Sequence, residues 1–383
     1  MTTHQRNFPV IDSTKVERLA ATAVKVGLRL QAGQDLCLTA PTAALPLARL
    51  IVAAAYKAGA GLVTPILSDE EIALARFRFG KDASFDRAPG WLYEGVAKAF
   101  DANTARLAIV GEDPMLLAQE DPAKVARANK ANSIAYQPAL EKIAGFDINW
   151  NIVAYPTASW AKRVFPGDEE DVATGKLAEA IFSASRVDND DPFTAWTAHN
   201  AALARRTEWL NARKFHALHY SGPGTDLTIG LADGHEWQGG AATAKNGIVC
   251  NPNIPTEEVF TTPHARRVDG HVVSTKQLSY QGTLIDGVAV RFEAGRIVEA
   301  KAQRGEDVLK KVLDSERGRA ASARSHWCRT PRRFRRAASC SSIRCSMRTP
   351  PATSRLDNAM RNASSTARSS RLRRSRRAAA TRA

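Results

Sequence analysis

Long hydrophobic runs are the first thing this chain lacks. Nowhere in its 383 residues does an apolar stretch approach the ~20 residues that a membrane span needs. The opening residues, Met1 to Asn7, are polar and contain no apolar core of a secretory signal. Both absences point to the cytoplasm and away from a membrane. Cysteine is also scarce. Of five residues, only Cys37 and Cys250 lie in the body of the chain, and Cys328, Cys340 and Cys345 near its end lack zinc-ligand spacing. The two body cysteines are expected to be reduced core residues. From Arg317 onward there is no lysine, no valine and a single acid, Asp357, against 19 arginines.

That last imbalance decides how the charge is interpreted. The whole chain carries a formal +15, but the segment 317–383 carries +18, which leaves −3 on residues 1–316. A basic protein would suggest a nucleic-acid partner. Here the basicity belongs to a tail that has one glycine, Gly318, and almost no aromatics to stack on bases. Nucleic acid is therefore expected to bind only incidentally. Arg, Ser and Ala supply 44 of the last 67 residues, and Ile343, Leu356 and Leu372 are the tail's only branched aliphatics. Such a composition buries no core and is expected to be disordered.

The body has the length and apolar content for two domains. Residues 14–31 repeat apolar positions with helical period, with Ser13 as the candidate N-cap. Strand Asp35–Thr39, helix Leu45–Lys57 closed by Gly59, and a β-rich Gly61–Leu67 follow. Ser68-Asp69-Glu70-Glu71 then opens another helix. Helix Trp91–Phe100, strand Arg106–Val110, helix Pro122–Ser133 and strand Ile148–Ala154 continue the alternation. Two longer helices lie near 168–186 and 193–213. This order predicts an α/β domain over 1–214 with a mostly parallel sheet. After Phe215 strand-like stretches take over (Ala217–Tyr220, Asp226–Leu231, Gly287–Phe292 and Arg296–Ala300), and helix Gly305–Leu313 ends them. They predict a β-rich, α+β second domain over 215–316.

Motifs are few. Gly222-Pro223-Gly224-Thr225-Asp226-Leu227 is a glycine turn entering a strand; it lacks the Gly-Lys-Ser/Thr ending of a phosphate loop. His235-Glu236 lacks the second histidine of a helical zinc motif, which favours a hydrogen-bonding role. His199, His216, His219, His264 and His271 are scattered, and a structural role is expected for each. In Asn251-Pro252-Asn253-Ile254-Pro255-Thr256-Glu257-Glu258-Val259-Phe260-Thr261, two prolines hold an extended approach to two carboxylates that open a β-former run. Neighbouring strand side chains point to opposite faces, so only one of Glu257 and Glu258 can face a given site. An edge strand with solvated acids satisfies the same pattern.

The stretch Ile254-Pro255-Thr256-Glu257-Glu258-Val259-Phe260-Thr261 resembles the motif of the aminopeptidase T/aminopeptidase S family of thermophilic dinuclear metallo-aminopeptidases. Val26-Gly27-Leu28, Gly33-Gln34-Asp35, Tyr56-Lys57-Ala58-Gly59-Ala60, Gly222–Leu227, Gly282-Thr283-Leu284-Ile285 and Gly295-Arg296-Ile297-Val298 are similar too. The resemblance runs from residue 10 to about 316. It implies an α/β domain followed by a β-rich catalytic domain, a homodimer, and removal of N-terminal residues from peptide substrates. It also implies two divalent ions (Zn, Co, Mn or Mg) that bridge a water and lower its pKa. By position in the motif, Glu258 corresponds to the first metal ligand. Glu257 is then a supporting group or an alternative ligand. The remaining ligands belong to a Gly-Glu-Val-Ala-Leu-Val-type strand, a His before Ile-Ala-Leu-Gly, a nearby Tyr and a His-x-Asp pair. None of these occurs in this sequence, so no catalytic residue is assigned and the second domain is incomplete.

The missing motifs are legible one base out of frame. Trp327 is TGG and Cys328 begins TG, so the straddling codon is GTG, Val. Permitted codons for Ala323, Arg324, Ser325 and His326 complete Glu-Val-Ala-Leu-Val. Ser339–Arg348 admits an apolar run ending Phe-Asp-Glu, and Ala352 into Thr353 admits a His followed by Ile, Ala and Leu. The hidden Glu falls at codon 324 and the hidden His at codon 353, where the family's ungapped spacing from Glu258 places them. A frameshift near codons 314–318 is therefore expected, together with loss of activity and exposed apolar surface in the chain as written. Two other classes compete: a non-catalytic α/β scaffold or dimerisation protein, and a nucleic-acid binder acting through the tail. Stable folded dimers without metal favour the first. DNA-column retention that vanishes on truncation at 316 favours the second.

Overall fold

A computed structural model describes residues 11–276, 278–280, 283–310 and 313. The Arg-rich segment 317–383, with its three cysteines, its expected disorder and codon positions 324 and 353, lies outside the described residues, as does Gly282. The helix expected over Gly305–Leu313 is present over 306–310.

The chain opens with helix α1 (Ser13–Thr22), then β1 (Leu36–Pro41), α2 (Leu45–Lys57), β2 (Val63–Ser68), α3 (Glu70–Phe79), α4 (Gly90–Asp101) and β3 (Ala105–Val110). Next come α5 (Pro122–Ala135), α6 (Gln137–Ala144), β4 (Trp150–Ala154), α7 (Ala158–Val164), α8 (Glu170–Ala184) and α9 (Pro192–Arg213). The later strands are β5 (Ala217–Gly222), β6 (Thr225–Leu231), the two-residue β7 (Asn253–Ile254), β8 (Pro263–Val273), β9 (Ala289–Glu293) and β10 (Arg296–Lys301). Two expectations need correction at the start. Asp12, not Ser13, caps α1: its carboxylate accepts the backbone N–H groups of Thr14 and Lys15 at 2.9 and 3.3 Å, and a charged acceptor there also meets the helix dipole. The helix expected over 14–31 is α1 followed by a π-helical turn, Ala23–Leu28.

The first sheet has the order β7-β4-β3-β1-β2 and is parallel throughout. Its side chains alternate between two helical layers. Leu36, Leu38, Leu107, Ile109 and Val153 pack with α1, α2, Phe182 of α8 and Trp196 of α9. Cys37, Ile66 and Trp150 face Phe100 of α4 and Ile143 of α6. Cys37 and Cys250 are both free and buried, and burial pushes both thiols up, against the Arg106 charge in the case of Cys37. The structural role expected for them holds.

Gly27 in the π-helical turn shows why a small residue stands there. A Cβ would come within 2.6 Å of Cγ of Asn151. That side chain is buried and donates to the carbonyl of Asn251 at 2.6 Å, while the N–H of Asn251 donates to the carbonyl of Gly27 at 2.8 Å. Gly27→Ala is expected to cost about 1–3 kcal/mol through overpacking. A lower urea midpoint at unchanged slope would record it.

On the surface, Arg127 of α5 bonds Asp82 at 2.8 Å and Asp86 at 2.9 Å across a 3-10 turn. The guanidinium holds both carboxyls below their usual range. Groups whose folded pKa is depressed contribute stability above their ordinary pKa and lose it as pH falls through the folded value. Between about pH 6 and about pH 3 the urea midpoint of the unsubstituted protein is expected to fall further than that of Arg127→Met. Salt screens the exposed pair and shrinks the difference.

The second sheet, β10-β9-β8-β6-β5, is antiparallel. The turn expected at Gly222–Leu227 is the two-residue Pro223-Gly224 link between β5 and β6, with Gly224 at φ +72°. The central strand β8 was not anticipated. Its Arg266, Arg267, Asp269 and His271 leave no apolar alternation, and Val268 is its one buried side chain. The sheet buries little among the described residues. Leu227 and Leu231 of β6 join Val268 inside, whereas β9 and β10 have no buried position.

Candidate metal centre

The acid pair sits where the two sheets are joined. Although it follows β6 in the chain, β7 returns to the first sheet and pairs in parallel with Ile152 and Val153 of β4. After a cis Ile254–Pro255 bond, residues 256–258 are not in a strand. Val259–Phe260 then pairs antiparallel with Gln238–Gly239. The approach is anchored from several sides. Asn251 and Asn200 of α9 exchange side-chain amide bonds at 3.0 and 2.8 Å. Asn151 and Gly27 hold the backbone of Asn251 from below.

The two carboxylates diverge, although the strand expected to alternate them is absent at residues 256–258. The Glu257 side chain is 9% exposed and forms an ion pair with Arg186, whose own side chain is 8% exposed. His199 of α9 completes the cluster. Its Nε2 lies 2.7 Å from the carbonyl of Thr256, which only accepts, so Nε2 carries the hydrogen. Nδ1 is then free to accept from Nη2 of Arg186 at 3.0 Å. Nε2 also lies 3.8 Å from Oε2 of Glu257. Glu258, one residue on, is exposed.

Arg186 holds an unusual backbone position. It follows α8 with φ +62°. Its N–H bonds the carbonyl of Ser183, and that of Val187 bonds the carbonyl of Phe182, which is the Schellman ending of a helix. Glycine is the usual residue there, and a side chain costs about 1–2 kcal/mol. The guanidinium lies 5.0 Å from the ring centre of Trp196, whose Nε1 donates to the carbonyl of Ser185 at 2.9 Å.

The other sequence candidates are dispersed. His235 Nδ1 lies 2.9 Å from the carbonyl of Ala232, and His219 bonds Asp226 at 2.7 Å on the exposed second sheet. His264 accepts the N–H of Arg266 at 3.2 Å. No group of three or more His, Cys, Asp or Glu that could hold a metal ion exists among the described residues. A cavity of about 350 Å3 beside α9, lined in part by Lys25, Arg29, Phe193 and Asn200, contains no carboxylate or imidazole. Glu258 suits a divalent cation as one oxygen donor, but the described residues do not complete a donor set around it.

Among the described residues, two five-stranded sheets are joined through a segment that carries the solvent-facing carboxylate of Glu258. The family model described as thermophilic metalloprotease (M29) matches residues 12–321, and the chain belongs to that family of hydrolases, an exopeptidase by its relatives. It is 51% identical over 303 residues to aminopeptidase T of Thermus thermophilus, covering 79% of this chain and 74% of that protein. It is 38% identical over 306 residues to aminopeptidase AmpS of Bacillus subtilis, covering 80% and 75%. The solved structure of wild-type AmpT from Thermus thermophilus superposes with a TM-score of 0.74 at 50% identity, over 78% of this chain and 74% of that one. The family match ends at residue 321, and the chain continues to residue 383.

Proposed function

We propose that this gene descends from a dinuclear metallo-aminopeptidase in which Glu258 is one ligand, and that the chain as written lacks the others and does not catalyse. The observation that carries the reading is the divergence of the acid pair. Arg186 occupies Glu257, whereas Glu258 faces solvent on a segment anchored to both sheets. The end of the family match at residue 321 supports a change of frame just before it. One carboxylate cannot hold two divalent ions with useful affinity, so no hydrolytic step is assigned to the chain as written.

The reading carries with it residues 215–316 as the start of the catalytic domain, a homodimer, peptide substrates and a cytoplasmic location. Among the described residues no helix is long and apolar enough to cross a membrane. Metal stoichiometry tests the proposal. Equilibrium dialysis against Co2+ is expected to give two equivalents per chain for a frame-restored protein and less than one for the chain as written. Glu258→Gln in the restored protein is expected to abolish the tighter site, whereas Glu257→Gln is expected to weaken it by loosening the segment while leaving the ligand in place. Full stoichiometry in the Glu258 variant would remove that residue from the centre.

A further inference from the structure

We infer that Arg186 is a positioning residue for Glu258: from the end of α8 it takes Glu257 inward and so fixes the 256–258 segment with the next carboxylate outward. The inference rests on the reading of Glu258 as a ligand. Three observations carry it. Arg186 stands at a left-handed position where glycine is the ordinary choice, so its side chain is retained against a backbone cost. The guanidinium is enclosed by partners that define its direction: the Trp196 ring below, Nδ1 of His199 beside it, and Glu257 in front. His199 in turn grips the carbonyl of Thr256, so the same cluster holds the backbone immediately before the acid pair.

The cluster also explains why two adjacent acids do not compete. A flexible segment would offer either carboxylate to a cation. Here a buried, charge-assisted pair consumes Glu257, and Glu258, the next residue, is left exposed. Removing one partner strands a buried charge, whereas removing both leaves no charge to strand.

Hydrogen exchange on the metal-free, full-length chain tests this. Arg186→Met is expected to raise exchange across residues 255–260 by about tenfold or more, with β1 and β3 unchanged. The double variant Arg186→Met with Glu257→Met removes both charges and is expected to return exchange to within about threefold of the original. Arg186→Gly relieves the backbone but lacks the guanidinium, and is expected to behave as Arg186→Met. In the frame-restored protein, Co2+ affinity is expected to fall about 10- to 100-fold in Arg186→Met and to recover in the double variant, since groups that orient a ligand have effects of that size. Unchanged exchange at 255–260, or exchange raised equally in β1 and β3, would overturn the positioning role. If exchange responds as expected but Glu258→Gln leaves Co2+ binding intact, the clamp stands and the ligand assignment is what fails.

Discussion

With Co2+ or Mn2+ supplied, a protein read in the shifted frame from about codon 316 is expected to release coumarin from a leucyl-aminomethylcoumarin substrate. The chain as written is expected to release none above the metal blank. The effect is large because it is not the loss of one interaction. A bound metal lowers the pKa of its water and polarises the scissile carbonyl only when several ligands fix its place. Among the described residues Glu258 has no second and third donor beside it. The same deficit has a physical signature without substrate. β9 and β10 bury no side chain, and Val273 and Val298 stand 38% and 42% exposed. The chain as written is expected to bind a hydrophobic dye and to associate at concentrations where the restored protein stays dispersed. Normal turnover by the chain as written would refute the account.

Trp196→Ala is expected to lower stability by about 3–5 kcal/mol. Trp196 is fully buried and is the largest side chain of the core so enclosed. Its loss removes packing between α9 and the main core, leaves the carbonyl of Ser185 without its indole donor, and withdraws the ring beneath Arg186 and beside His199. Against a typical total of about 5–15 kcal/mol, this is enough to unfold a marginal domain. Trp196→Phe retains most of the volume and is expected to cost less than half as much. Urea unfolding followed by circular dichroism separates the two variants. Equal midpoints would mean that the ring volume retained by phenylalanine contributes nothing and that the lost indole hydrogen bond carries the whole effect.

What was legible in the sequence follows from where the periodicity is local. Helix Leu45–Lys57 was read to the residue, because its apolar face is bounded by the turn at Gly59. Strands β1 to β4 of the first sheet are legible, β1 and β3 most clearly because they are buried on both faces and read as apolar runs. Helices α6 and α7 were missed. They have 8 and 7 residues, and Tyr136 serves both as the end of α5 and the start of α6, so no break marks the boundary. Strand β8 was missed because a sheet with so little cover imposes no alternation.

The sequence singles out the acid pair by its motif, and the strand on which its divergence is expected is absent at residues 256–258. Which of them turns inward was not derivable from spacing. The answer lies with Arg186, 71 positions before Glu257, at a helix end where sequence rules look for glycine. His199 was seen only as one of several scattered histidines, because the carbonyl that defines its tautomer is 57 residues away. The return of β7 to the first sheet is likewise a long-range pairing that no local signal announces.

The central claim is that the last part of this chain is its own gene read one base out of register. Sequencing codons 305–330 on both strands of the source DNA tests it most directly. A base gained or lost near codons 314–318, restoring Glu-Val-Ala-Leu-Val around codon 324, is the predicted result. An unchanged sequence, paired with aminopeptidase activity in the chain as written, would contradict it.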